Sequence, residues 1–179
     1  MLKIVLAFGL AVLGTNAQAD DRMLAISEYR SAFLPIEQCF EADSSGWETC
    51  AMAAVQECVA GLEIDLANKG IDIPDGAAVS PVEYCSYLGL ERADAHLNSV
   101  YQRILEQGPL RPSDKDNGIE NLRSTQRLWL QFKNEFCSEN NIVGWHAGGS
   151  GWGAITAECT MRLSIQQAEH LERYFGFEN

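Results

Sequence analysis

Positive charge is scarce in this chain. Its 179 residues hold 13 Lys and Arg against 25 Asp and Glu, a formal charge of −12 at pH 7. Nucleic acid and anionic membrane surfaces both call for clustered Lys/Arg, so neither is an expected partner. An acidic surface suits a basic protein partner, drawn in by long-range attraction, and it also keeps an exported protein soluble. No two cysteines have Cys-x-x-Cys spacing, which argues against a structural zinc site or a thioredoxin-like redox motif. The three histidines form no metal motif, and His96 and His170 are expected on solvated helix faces. Gly148-Gly149-Ser150-Gly151 lacks the Gly-x-Ser-x-Gly nucleophile elbow. Carboxylates are so abundant that a close pair would arise by chance, which gives no argument for a glycosidase. No catalytic residue, metal or cofactor is therefore expected, and the chain does not read as an enzyme.

Long apolar runs are equally rare. The one at Ile4 to Leu13 follows Lys3 and precedes Ala17-Gln18-Ala19, the pattern of a signal peptide cleaved to leave Asp20 first. It is too short and too early for a membrane span, and no cysteine near the cleavage point offers a lipid anchor. The expectation is periplasmic or secreted export. Losing Lys3, the leader's only charge, takes the formal charge to −13 over the remaining 160 residues (179 less 19). That length suits one domain, or one domain with an extension.

No segment alternates with period two, whereas apolar residues recur at helical spacing throughout. Met23, Ile26, Phe33, Ile36 and Phe40 mark a first helix, which Pro35 ends or kinks. Gly46 to Asn68 carries Trp47, Cys50, Ala54, Cys58, Leu62 and Leu66, with Gly70 as its C-terminal stop. Pro74-Asp75-Gly76 marks a turn inside a connector over residues 71–82. A long helix from about Val82 to Gln107 buries Leu90, Ala93, Leu97, Tyr101 and Ile104. After a loop ending at Gly118, Asn117 and Glu120 suggest a reciprocal cap for a helix to Phe136. Its expected stripe is Leu122, Gln126, Trp129, Lys133 and Phe136, widened by Leu128 and Phe132. A last helix from about Ala154 to Phe175 would bury Ile155, Cys159, Leu163, Leu171 and Phe175. The fold class is all-α: a bundle of three core helices with an N-terminal helical hairpin.

Two polar sets interrupt these stripes. Asp94, Leu97, Asn98 and Tyr101 share one helix face, and Gln126, Trp129 and Lys133 share another. Such groups need partners across the helix interface if buried, so they read as a network fixing how the helices dock, with Asp94 to Arg127 or Lys133 as its charge pair. A partner-binding patch is the rival reading.

The stretch Cys85…Asp94-x-x-Leu97-Asn98-x-x-Tyr101, then Gln126-Arg127-x-Trp129-x-x-x-Lys133-Asn134-x-x-Cys137, then Cys159, resembles the LprI-type lysozyme inhibitor domain. That family reads Asp-x-x-Leu-Asn-x-x-Tyr, Gln-Arg-x-Trp-x-x-x-Arg-Asp-x-x-Cys and Cys-x-x-x-x-Thr-x-x-Arg. Lys133-Asn134 replaces its Arg-Asp, and Ser164 and Gln167 stand at its final Thr and Arg. Neither Lys nor Gln reproduces a planar bidentate donor. The resemblance spans roughly Cys85 to Leu171. It implies an exported helical domain that binds and blocks c-type lysozyme, and it divides the chain into a leader (1–19), an N-terminal helical extension (20–70), a connector (71–82) and the family-like domain (83–176).

An even count of six cysteines in an exported chain reads as a disulfide framework with fifteen possible connectivities. Nearest-neighbour pairing is the expectation: Cys39–Cys50, Cys58–Cys85 and Cys137–Cys159. Each pair flanks a segment with turn residues, and the family resemblance supports the last. Within that last loop, residues 144–153 hold five glycines and two tryptophans. Indole gives apolar area with one donor, a composition common in binding hot spots. Trp145, His146, Gly148, Gly149, Ser150 and Trp152 are thus the expected partner-binding residues, on a pinned tip that plugs an enzyme cleft. The competing reading is a non-inhibitory envelope module that binds protein or glycan through the same tip.

Overall fold

The computed structural model describes residues 36–41, 46–72, 80–109, 115–145 and 151–176. The leader, most of the first expected helix and the Pro74-Asp75-Gly76 turn lie outside them. No strand occurs among the described residues. A short 3-10 helix, Ile36–Glu41, is followed by α1 (Trp47–Asn68), α2 (Pro81–Gln107), α3 (Lys115–Phe136), α4 (Glu139–Trp145) and α5 (Trp152–Phe175). None is long and apolar enough to cross a membrane.

Local chemistry sets the ends. Gly70 takes φ 68°, and the N–H groups of Gly70 and Ile71 donate to Ala67 and Leu66 carbonyls, closing α1 with a left-handed cap. Ser80 accepts from the Glu83 N–H at 3.1 Å, and Pro81 occupies the first position of α2. Asn117 does not cap α3, which already begins at Lys115, so Gly118 lies within it. The 3-10 turn at Ile36–Glu41 replaces the α-helical end expected there, directly after Pro35. α4 was unforeseen, because Gly144 and Trp145 belong to a glycine-rich string that reads as loop.

The core joins α1, α2, α5 and the 3-10 turn, with Leu122 from α3. Cross-links fix the order: Cys39–Cys50, Cys58–Cys85 and Cys137–Cys159, with Cα–Cα distances of 5.6, 5.9 and 5.7 Å. Cys58 against Cys85 makes α1 and α2 an antiparallel hairpin. α2 and α5 run side by side in the same direction, Glu83 lying against Gly153, Asp94 against Ser164 and Arg103 against Glu172. They form the most extensive helix pairing among the described residues.

That pairing explains where the expected stripes fail. α5 buries Ala154, Ala157, Met161, Ser164, Ile165, Ala168 and Leu171, while Ile155 and Phe175 are exposed. Small residues let two helix axes approach, and here Ala154, Ala157, Ser164 and Ala168 alternate with the large Met161, Ile165 and Leu171 along the buried face. Gly89 serves the same approach from α2: a Cβ there would stand 2.7 Å from Met161 Sδ and 2.8 Å from Val55 Cγ2. In α3 the burial is narrower than expected. Leu122 and Lys133 are buried, whereas Leu128, Phe132 and Phe136 are exposed. His96 is likewise not on a solvated face. It stacks on Phe40 with centroids 3.9 Å apart and meets Trp47 edge-on at 4.6 Å.

Candidate functional site

α3 is tied to α5 through Gln126 and Lys133 and to α2 through Lys133. The gap on its α2 side is an open groove of about 650 Å³. One wall comes from α2, with Asp94, Asn98 and Gln102 at steps of one turn and Tyr101 beside Gln102. The other comes from α3, with Arg123, Gln126, Trp129 and Lys133, flanked by Arg127 and Leu130. Leu97 and Leu105 add apolar lining. A shallower depression on the other flank of α3 involves Phe136, Ile155 and Leu163.

The inner end of the groove is a closed polar knot. Lys133, its side chain 5% exposed, donates from Nζ to Asp94 Oδ1 at 2.9 Å and to Ser164 Oγ at 3.1 Å. Ser164 Oγ in turn donates to Asp94 Oδ1 at 2.5 Å. The ammonium also sits 5.2 Å from the Trp129 ring centroid, one turn back along α3. One residue from each of α2, α3 and α5 is thereby tied into a single unit, so a charge buried with α3 keeps its hydrogen bonds. Gln167 Nε2 donates to Gln126 Oε1 at 2.9 Å, a second stitch between α5 and α3. Arg127 takes no part in the knot; it pairs with Glu120 at 2.9 Å on the surface. The outer groove is different in character. Asn98, Gln102 and Arg123 are exposed there, with Tyr101 and Trp129 half-buried.

Sequence reasoning singled out Asp94, Asn98, Tyr101, Gln126, Arg127, Trp129, Lys133 and Gln167, and all but Gln167 line this groove. It placed Ser164 at the family's threonine position but gave it no part in the network, and it missed Gln102 and Arg123, which only their helical offsets from Tyr101 and Gln126 would reveal.

The glycine-rich segment is only framed. His146, Gly148, Gly149 and Ser150 lie outside the described residues. On the entering side, Ile142 is buried, and Asn141 Nδ2 donates to the Phe136 carbonyl at 2.8 Å, setting α4 just after Cys137. Trp145 is the last residue of α4. On the leaving side, Trp152 is the first residue of α5 and half-buried, not part of a free loop. The Cys137–Cys159 bridge closes the frame.

Residues 76–171, more than half the chain, match the family model for lysozyme inhibitor LprI, and the chain belongs to that family. Neither the curated proteins nor the solved structures give a significant match. The matched span begins after α1, so that helix is stapled onto the family domain by Cys58–Cys85 and shares its core.

Proposed function

We propose that the protein is exported and blocks c-type lysozyme by seating residues 144–153 in the substrate cleft. Membership of a family of lysozyme inhibitors carries this reading. Three disulfides fit an oxidising compartment outside the cytoplasm, in keeping with cleavage after Ala19. The Cys137–Cys159 bridge and the short α4 hold both limbs of the segment, so that less ordering entropy opposes docking. Trp145, with His146, Gly148, Gly149 and Ser150, supplies the inserted surface, and half-buried Trp152 shapes its base. The acidic chain complements a basic enzyme and speeds encounter.

The test is lysis of cell-wall suspensions by lysozyme with the mature protein added in rising amounts. Protection that saturates near equimolar protein, and is lost in Trp145→Ala, supports the proposal. Full lysis at large molar excess ends it. Binding to lysozyme without protection would favour the non-inhibitory envelope module instead.

A further inference from the structure

We propose that the groove between α2 and α3 is a binding site for a short, carboxylate-bearing amino-sugar oligosaccharide. Its volume of about 650 Å³ suits a ligand of two or three sugar rings. Tyr101 and Trp129, both half-buried, give apolar surface against which a pyranose can lay its C–H face. Asn98, Gln102 and Gln126 carry primary amides, which donate and accept at once as hydroxyl and acetamido groups require. Gln126 spends its oxygen on Gln167, leaving its amide N–H groups to donate.

Charge selects the anionic member of this class. Lys133 is matched by Asp94 and Arg127 by Glu120. Arg123 lines the groove, is exposed, and has no acidic partner among the described residues. Its guanidinium offers a fork for a carboxylate. The groove is open and polar rather than a closed apolar pocket, which disfavours a lipid or an aromatic metabolite. None of these residues belongs to the segment proposed to enter lysozyme, so the site stands or falls independently of inhibition.

Calorimetric titration of the full mature chain tests the assignment with three probes. These are the N-acetylglucosamine–N-acetylmuramic acid disaccharide, neutral chitobiose, and a short peptide with a free C-terminal carboxylate. The disaccharide binds, chitobiose binds about tenfold more weakly, and Arg123→Gln erases that difference, about the effect of one charged hydrogen bond. Gln102→Ala, on the opposite wall and equally exposed, also weakens the disaccharide. Both variants keep the wild-type melting curve. No heat with the disaccharide at millimolar concentration overturns the proposal. So does equal binding by Arg123→Gln, equal binding of chitobiose, or a peptide that binds as tightly as the sugar, which would reassign the groove to acidic peptides.

Discussion

Lys133 of α3 and Asp94 of α2 meet at 2.9 Å, with the ammonium almost wholly buried and the carboxylate 39% exposed at the groove. The pair is therefore asymmetric. Removing the lysine leaves a carboxylate that water can still reach, whereas removing the carboxylate leaves a buried cation with Ser164 as its remaining hydrogen-bond acceptor. Asp94→Ala should cost about 2–3 kcal/mol in urea unfolding. Lys133→Met should cost less, and the double variant should recover part of the loss. Equal costs for the two single variants would show that burial of the ammonium is not what matters.

His96 ties stability to pH. Burial, and then the nearby Arg103 charge, hold its pKa down at about 4 against an ordinary 6.5. The folded protein keeps the ring neutral between Phe40 and Trp47, while the unfolded chain takes up a proton below pH 6.5. Its contribution is complete above 6.5, drains away as pH falls to about 4, and changes no further below that. Thermal melts of wild type and His96→Gln should therefore converge between pH 7 and pH 4.5. Parallel pH dependence would remove His96 from the account.

Gly89 sets how closely α2 can lie against Met161 and Val55. Alanine is the better helix former by about 1 kcal/mol, yet its methyl would press on both side chains at under 3 Å. Overpacking outweighs propensity here, and Gly89→Ala should lower stability by about 1–2 kcal/mol net. Chemical denaturation decides it; a stabilised variant would mean that the seam has slack.

The Cys137–Cys159 bridge closes 22 residues of chain. Replacing both cysteines with serine should cost about 3 kcal/mol in the chain-entropy view. It should also weaken lysozyme inhibition beyond any loss of folded protein, because the limbs of the 144–153 segment are no longer held. Inhibition that survives in a folded double variant would separate the bridge from the partner surface.

Much of this fold can be read from spacing alone. Gly70 and Gln107 end their helices where the turn chemistry says they should, and α2 buries Ala93, Leu97 and Ile104 as its periodicity requires. The errors share a cause. Hydrophobic periodicity weighs large side chains and gives no weight to alanine and serine, so it finds Leu171 but misses Ala157, Ser164 and Ala168, which are inside while Ile155 and Phe175 are not. α3 touches the bundle along one narrow line, and Phe132 and Phe136 stack on each other at 5.2 Å in the open rather than in a core. For the site, Asp94 and Lys133 stand out as opposite charges on apolar stripes. Arg123 gives no such signal, since an exposed arginine on a polar helix face is ordinary until a groove is seen beside it.

Inhibition by an acidic protein should also weaken as salt rises, chiefly through slower association. A half-maximal inhibitory concentration that stays constant from low to high ionic strength would remove charge from the recognition step.

The most direct test of cleft occlusion is competition. Lysozyme is immobilised, and binding of the mature protein is measured with and without saturating chitotriose in the enzyme's cleft. Occlusion predicts that chitotriose displaces the wild-type protein and that Trp145→Ala fails to bind at all. Undiminished binding to the sugar-filled enzyme would contradict it.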